Sequence, residues 1–324
     1  MKAIAWKRYG SPAAALEIIE TEKPVPEDDE LQVRVFASSV TSGDSRLRAL
    51  RVPFGFGLLT RLGFGLRRPR ANVPGMSFSG EVEAVGRAVT DFQVGDAVYG
   101  SAGMAMGAHA EVLCLSEKAA VSRKPHSVDH SRAAAAVFGG QTAIFFLKDR
   151  VGLSAGQRIL INGASGAVGT ASIQLAKYLG AEVVAVCSTA NIDLVTSLGA
   201  DRVIDYSRQR IEDEKDTFDF IVDTVGNLPL SRCRHLLGDR GQLIAISTGL
   251  GTTLASIWNS RLVCGVATES KAQLELLATL IDDGRFDPVI DSVYTLDEIV
   301  AAHERVDGGH KRGNVVLTMV EGTS

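Results

Sequence analysis

Residues 158–190, RILINGASGAVGTASIQLAKYLGAEVVAVCSTA, decide the reading of this chain. Residues 158–162 are a short apolar run of the kind buried between two layers, and residues 183–186 are a second. Between them Gly163, Gly166 and Gly169 are spaced GxxGxxG. Residues 170–179 then set Ile173, Leu175, Ala176 and Leu179 on one helical stripe that Gly180 closes. The unit is strand, glycine turn, helix, strand. A helix that begins directly after a strand points its first free N–H groups and its positive dipole end outward, where a diphosphate can sit. On this reading the backbone of Gly163, Ala164, Ser165, Gly166, Ala167, Val168 and Gly169 forms an anion-binding mouth. Gly163 permits the turn, and Gly166 and Gly169 remove side chains that would block the approach. A packing turn without a ligand is the competing reading, and the placement between strand and helix weighs against it.

On the C-terminal side, strands are expected at 202–205, 218–223 and 242–247, with helices at 191–198 and 230–237. Such alternation implies a parallel sheet covered on both faces, with ligands beyond the C-terminal strand ends. That rule gathers Ser188, Thr189, Asp223, Gly226, Ser247 and Thr248 around one crevice. On the N-terminal side residues 2–123 read as mostly β, because Leu31, Val33 and Val35 alternate and glycine-punctuated short strands follow, the pattern of a small barrel or sandwich. Residues 131–149 read as an alanine-rich pair of buried helices broken at Gly139 and Gly140. The glycine-rich excursion 50–74, with Phe54, Phe56 and Phe64 beside Arg61, Arg67, Arg68 and Arg70, reads equally as a mobile lid over an apolar substrate or as a packed excursion or association patch. The tail supplies helices at 271–281 and 296–305, a strand-like PVIDSVY, and a last strand expected to return to the N-terminal β domain.

A chain of 324 residues exceeds one ordinary core, and 45% hydrophobic with 22% charged residues is the balance of a globular protein. The net charge of −4, without a basic block, argues against nucleic acid as the main partner. No apolar run approaches the ~20 residues of a membrane span. The opening MKAIAWKRYG lacks the apolar core of a secretory signal, so a cytoplasmic protein is expected. Cys114, Cys187, Cys233 and Cys264 form no CxxC pair and are expected to be reduced, and His126 and His130 sit where a solvated helix start is expected in preference to a metal site.

GASGAVG after one strand, CST after the next, GADRVIDY, GGQTA at 139–143 and the terminal HKRGNVVL together resemble the medium-chain dehydrogenase/reductase superfamily, in its zinc-independent quinone oxidoreductase and enoyl reductase branch. The resemblance covers essentially the whole chain. It implies an α/β architecture: a GroES-like β domain at 1–124, a Rossmann doubly wound parallel sheet at 125–266, and a return to the first domain at 267–324. Zinc members of the superfamily carry Gly-His-Glu where this chain has Gly75, Met76 and Ser77, and no cysteine precedes Cys114. Metal-free chemistry is therefore expected.

Carried over residue by residue, the resemblance places Thr41 and Asp44 near the nicotinamide as catalytic candidates, with Thr41 where the family often has asparagine. Thr142 matches a residue at the nicotinamide end, Tyr206 one near the adenosine, and Lys311 and Asn314 a segment reaching back to the cofactor. Residues 183–189 contain no acid for a ribose 2′-hydroxyl, and Ser188 and Thr189 offer hydroxyls to a 2′-phosphate, with Arg208 as a compensating cation. NADP is thus the expected cofactor and a quinone or other α,β-unsaturated carbonyl the expected acceptor. Two alternatives remain open: a nucleotide-binding protein with little turnover, and an alcohol dehydrogenase or enoyl reductase. Residues 261–267, an apolar potential edge strand, make a homodimer the expected assembly.

Overall fold

The computed structural model describes residues 1–52, 55–66, 68–70 and 72–319, without the side chain of Leu59. By its contacts the chain divides into two compact units, one of residues 1–52, 57–141 and 269–324, the other of 53–56 and 142–268.

The first unit holds β1 (Lys2–Trp6) and β2 (Leu16–Glu20), an antiparallel pair. It also holds β3 (Glu30–Val40), β4 (Ser77–Val85), β5 (Ala97–Ser101), β6 (Val112–Ser116) and β7 (Ala120–Arg123). The second unit contributes β8 (Arg158–Asn162), β9 (Glu182–Cys187), β10 (Arg202–Asp205), β11 (Phe218–Asp223), β12 (Leu237–Ala245) and β13 (Leu262–Cys264). The chain then re-enters the first unit with β14 (Ile290–Thr295) and β15 (Asn314–Thr318).

In the first unit one sheet runs β14-β15-β3-β4-β5-β7, with β6 paired to β3 beside this path. The expected return of the last strand is observed: β15 lies antiparallel to β3, Val315 opposite Val40 and Thr318 opposite Ala37. The alternation of β3 explains its place, since Leu31, Val33 and Val35 are fully buried while Arg34 is exposed. Their core also takes in Phe78, Val82, Val98, Leu113 and Val121, and the helix Ile299–Asp307 closes it with Ile299, Ala302 and Val306.

The second unit is one parallel sheet in the order β10-β9-β8-β11-β12-β13, the doubly wound pattern whose direction reverses between β8 and β11. All five residues of Val183–Cys187 are buried, as expected of a strand covered on both faces.

Two local expectations need correction. Residues 130–143 form a single helix, His130–Ala143, that runs through Gly139 and Gly140 before a π-helical stretch at Ile144–Arg150. Gly140 marks a close approach in place of a break, because a Cβ there would lie 2.5 Å from Leu277 Cδ2. His130 is not a solvated helix start: its Nδ1 lies 2.8 Å from Ser79 Oγ and its ring 4.7 Å from that of Phe36. In the 50–74 excursion a helix forms at Gly57–Phe64 with Leu58 and Leu62 exposed, while Phe54 and Arg67 of the lid reading lie outside the described residues.

Candidate active site

The glycine turn between β8 and the helix Ala167–Tyr178 assigns each glycine a different task. Gly163 has φ +80°, and a Cβ there would meet Thr224 Oγ1 at 2.4 Å. Gly166 caps the helix with extended backbone, φ −78° and ψ 176°, and a Cβ on it would find only the Gly163 carbonyl oxygen, at 3.6 Å. Gly169 is different, since a Cβ there would strike that same oxygen at 2.2 Å. The expectation that Gly169 clears a path for the ligand is therefore corrected: it lets the helix press on the turn before it, and Gly166 alone opens the cradle. The mouth is also narrower than the full run 163–169. The Ala164 N–H donates to the Val186 carbonyl (3.0 Å) and that of Gly166 to the Gly163 carbonyl (3.1 Å). The first bond of the helix runs from the Thr170 N–H to the Gly166 carbonyl at 2.8 Å, which leaves the amides of Ala167, Val168 and Gly169 at the open end. Three helix-opening amides below a side-chain-free position fit a diphosphate.

Around this turn the second unit gathers several expected residues at the C-terminal ends of its strands. The Asn191 amide donates to Ser165 Oγ (3.0 Å) and Ser188 Oγ (3.2 Å), tying the glycine turn to the end of β9. Tyr206, half exposed, follows β10 and donates its N–H to the Cys187 carbonyl. Ser247 and Thr248 follow β12, and the Ser247 carbonyl lies 2.4 Å from where a Cβ on Gly226 would be. Asp223 at the end of β11 is buried and turned to loop building: it accepts from Asn162 Nδ2 (2.9 Å) and from the amides of Val225, Gly226 and Leu228. Thr142 is buried in the last turn of its helix.

Thr189 does not keep its hydroxyl proton for a ligand. It donates to Asp205 Oδ2 at 2.5 Å, and this bond, with that of the Ser207 amide, holds the Asp205 carboxyl below the usual carboxylate range. Arg208 Nε lies 3.6 Å from the same carboxylate, so the cation expected to compensate is engaged there. An acid therefore does stand beside the end of β9. It comes from the neighbouring strand, which inspection of 183–189 could not reveal.

In the first unit Thr41 caps the helix Ser42–Ala49, and Asp44 closes a capping box. Asp44 Oδ2 accepts from the Thr41 N–H at 2.8 Å and its hydroxyl at 2.6 Å, while Oδ1, equally buried, has no partner among the described residues. The same helix carries Arg48, 1% exposed, whose guanidinium reaches Asp307 (2.5 Å), the Gly10 carbonyl and His303 Nδ1 (3.3 Å). His303 lies edge-on to His109, ring centroids 5.9 Å apart, and burial pushes both imidazoles below their ordinary value, with Asp44 opposing that at His109. Neither sequence spacing nor motif marked Arg48, His109 or His303, since burial is what makes them notable. Lys311 and Asn314 lie together in the tail but serve its own turns. Lys311 Nζ donates to the Gly313 carbonyl at 2.5 Å, with burial pushing its ammonium down to about 8, and the Asn314 amide donates to the Val289 carbonyl at 3.0 Å.

Among the described residues no group of three or more His, Cys, Asp or Glu side chains is placed to hold a metal ion. Residues 27–126 match the alcohol dehydrogenase GroES-like domain family and residues 198–317 the zinc-binding dehydrogenase family. A chloroplast envelope quinone oxidoreductase homolog of Arabidopsis thaliana is 30% identical over 334 residues, covering 98% of each chain. An NADPH-dependent alkenal/one oxidoreductase of the same plant is 29% identical over 98% of this chain and 79% of its own. The quinone oxidoreductase structure from Coxiella burnetii superposes with a TM-score of 0.87 at 26% identity, over 99% of both chains. With a glycine-turn Rossmann sheet, a GroES-like β unit and relatives matched end to end, this chain belongs to the medium-chain dehydrogenase/reductase superfamily, as an oxidoreductase of the quinone oxidoreductase-like branch.

Proposed function

We propose that the chain is an NADPH-dependent reductase of quinones and other α,β-unsaturated carbonyls. The observation that carries the reading is the cradle at Gly166, where a helix opens on free amides and no side chain intrudes. The relatives named for quinones and for alkenals support the acceptor class. The cofactor, when bound, supplies hydride; the protein supplies orientation and exclusion of water. The amides of Ala167, Val168 and Gly169 would hold the diphosphate, and Ser188, Asn191 and Tyr206 would border the adenosine ribose. Thr142, Ser247, Thr248, Lys311 and Asn314 are further cofactor-side candidates, and Thr41 and Asp44 are candidates for positioning the acceptor. Asp205 sets a negative charge near the ribose, which narrows the margin by which NADPH is preferred to NADH.

We further propose chemistry without zinc, because Met76 and Ser77 stand where a histidine and an acid would be needed. The assembly in our reading is a homodimer through β13, which ends the six-stranded sheet and is followed by Val266, 87% exposed. The four free thiols support a reducing compartment, the cytoplasm in our reading.

The test mixes the purified protein with NADPH or NADH and a panel of quinones, enones and simple ketones, following the absorbance of the reduced nicotinamide. Oxidation by quinones or enones is expected. Tight cofactor uptake without turnover by any acceptor would favour a binding protein of the same fold, and stoichiometric zinc in metal analysis would contradict the metal-free reading.

A further inference from the structure

The excursion between the helix Ser42–Ala49 and β4 is one-sidedly charged. From Ser45 to Gly80 the sequence holds seven arginines and no aspartate or glutamate, in a protein whose net charge is −4. Two of the seven are engaged within the first unit, since Arg48 and Arg51 both pair with Asp307. Three others belong to the helix Gly57–Phe64 and the turn after it. Arg61 donates to the Leu66 carbonyl at 2.6 Å and Arg70 to the Gly63 carbonyl at 3.2 Å, and Arg68 is exposed between them. Among the described residues no carboxylate pairs with any of the three. The same segment exposes Leu58 at 66%, Leu62 at 51% and Leu66 at 58%. Leu58 and Leu62, four apart, share one helix face, whereas Phe64 packs against the core of the unit. The segment is held from behind. Tyr9 donates its hydroxyl to the Gly65 carbonyl at 2.8 Å, the Arg61 guanidinium lies 5.8 Å from the centre of the Tyr9 ring, and the Arg70 N–H donates to the Phe64 carbonyl at 2.6 Å.

We propose that this face docks onto an anionic lipid surface, with the three leucines entering the headgroup boundary and the arginines engaging the lipid phosphates. Solvent-facing leucines interleaved with arginines that no acid neutralises are the composition an interfacial helix requires. Clustered exposed leucines also mark a contact surface in their own right. Two other occupants fit less well. A second copy of this chain would set arginine against arginine, with no acid in the segment to answer either. A nucleic acid would take the arginines and leave the leucines uncovered, because base stacking needs aromatic rings and Phe64 is committed to the core. The contact is with the surface alone, since no helix among the described residues is long and apolar enough to cross a membrane. Quinones partition into the same apolar phase, which gives the contact a use, but the face stands whether or not the chain is a reductase. On this inference the excursion is an association patch and not a lid.

The test floats the full chain with phosphatidylcholine vesicles, with and without phosphatidylglycerol. Recovery with the anionic vesicles and not with the neutral ones is expected. Leu58→Gln combined with Leu62→Gln should lower the vesicle partition coefficient by about tenfold or more. Arg68→Gln should lower it by about fivefold, the loss of one cation at an anionic surface. All three positions are exposed, so the melting temperature of each variant should stay within about a degree or two of the native value. Leu62→Trp adds a second readout: its emission, taken as the difference from the native chain, should move to shorter wavelength when anionic vesicles are added. No recovery with either vesicle, equal recovery with both, or an unchanged partition coefficient in the folded leucine and arginine variants would overturn the inference. Binding to duplex DNA or to polyglutamate without binding to vesicles would overturn it as well, and would assign the face to nucleic acid or to an unrelated contact respectively.

Discussion

Single residues decide what the proposed cofactor cradle at Gly166 would accept. Gly166→Val places branched bulk in open space at a φ that valine tolerates, so NADPH affinity should fall by about tenfold or more while the melting temperature stays within a degree or two. Gly169→Ala should do the opposite, because a methyl 2.2 Å from a backbone oxygen forces the helix off its turn; differential scanning calorimetry should show a clear drop in melting temperature. Asp205→Asn removes a negative charge beside Thr189 and should shift the ratio of NADPH to NADH affinity several-fold toward NADPH, read by paired fluorescence titrations. The sequence displayed the glycine triplet plainly, since turn, cap and close packing are all written in one local run. It did not display which glycine does which task, because the atoms that decide it belong to Thr224 and to the backbone of the turn itself. Asp205 was hidden for a related reason: it matters through Thr189, a neighbour brought by another element.

The helix Ser42–Ala49 shows how an element can be legible at one end only. SSVTSGD announces the cap, with Thr41 and Asp44 at the spacing a capping box requires. Arg48, a residue that surface helices carry routinely, is in fact among the largest fully buried side chains, fixed by Asp307 in a helix more than 250 residues away in sequence. Arg48→Ala strips a buried ion pair of its cation and should destabilise the protein by roughly 3 kcal/mol in urea titration, with Arg51, 2.6 Å from Asp307, softening the loss. The helix His130–Ala143 gives the complementary lesson. Two adjacent glycines look like a break from sequence alone, and the reason they are not is Leu277, more than 130 residues distant. Strands β8 to β11 were legible nearly to the residue, because strands buried on both faces are continuous apolar runs bounded by turn residues.

At the scale of the whole molecule, buried histidines set a stability that falls as the solution is acidified. His109, His130 and His303 are all held below their unfolded value of about 6.5 by burial, His130 down to about 4. The unfolded chain therefore binds more protons than the folded one as pH falls below about 6.5, and stability should decline progressively from there toward pH 4. Melting curves from pH 4 to 7 should show this decline on the acid side. Sedimentation at micromolar concentration should give a dimer that a charge on β13, such as Val263→Lys, dissociates. The central claim concerns the helix that opens at Gly166, and isothermal titration calorimetry tests it most directly. The account predicts saturable uptake of NADPH, weaker uptake of NADH, and loss of both in a folded Gly166→Val protein; no uptake of either by the native chain, or unchanged uptake by the variant, would contradict it.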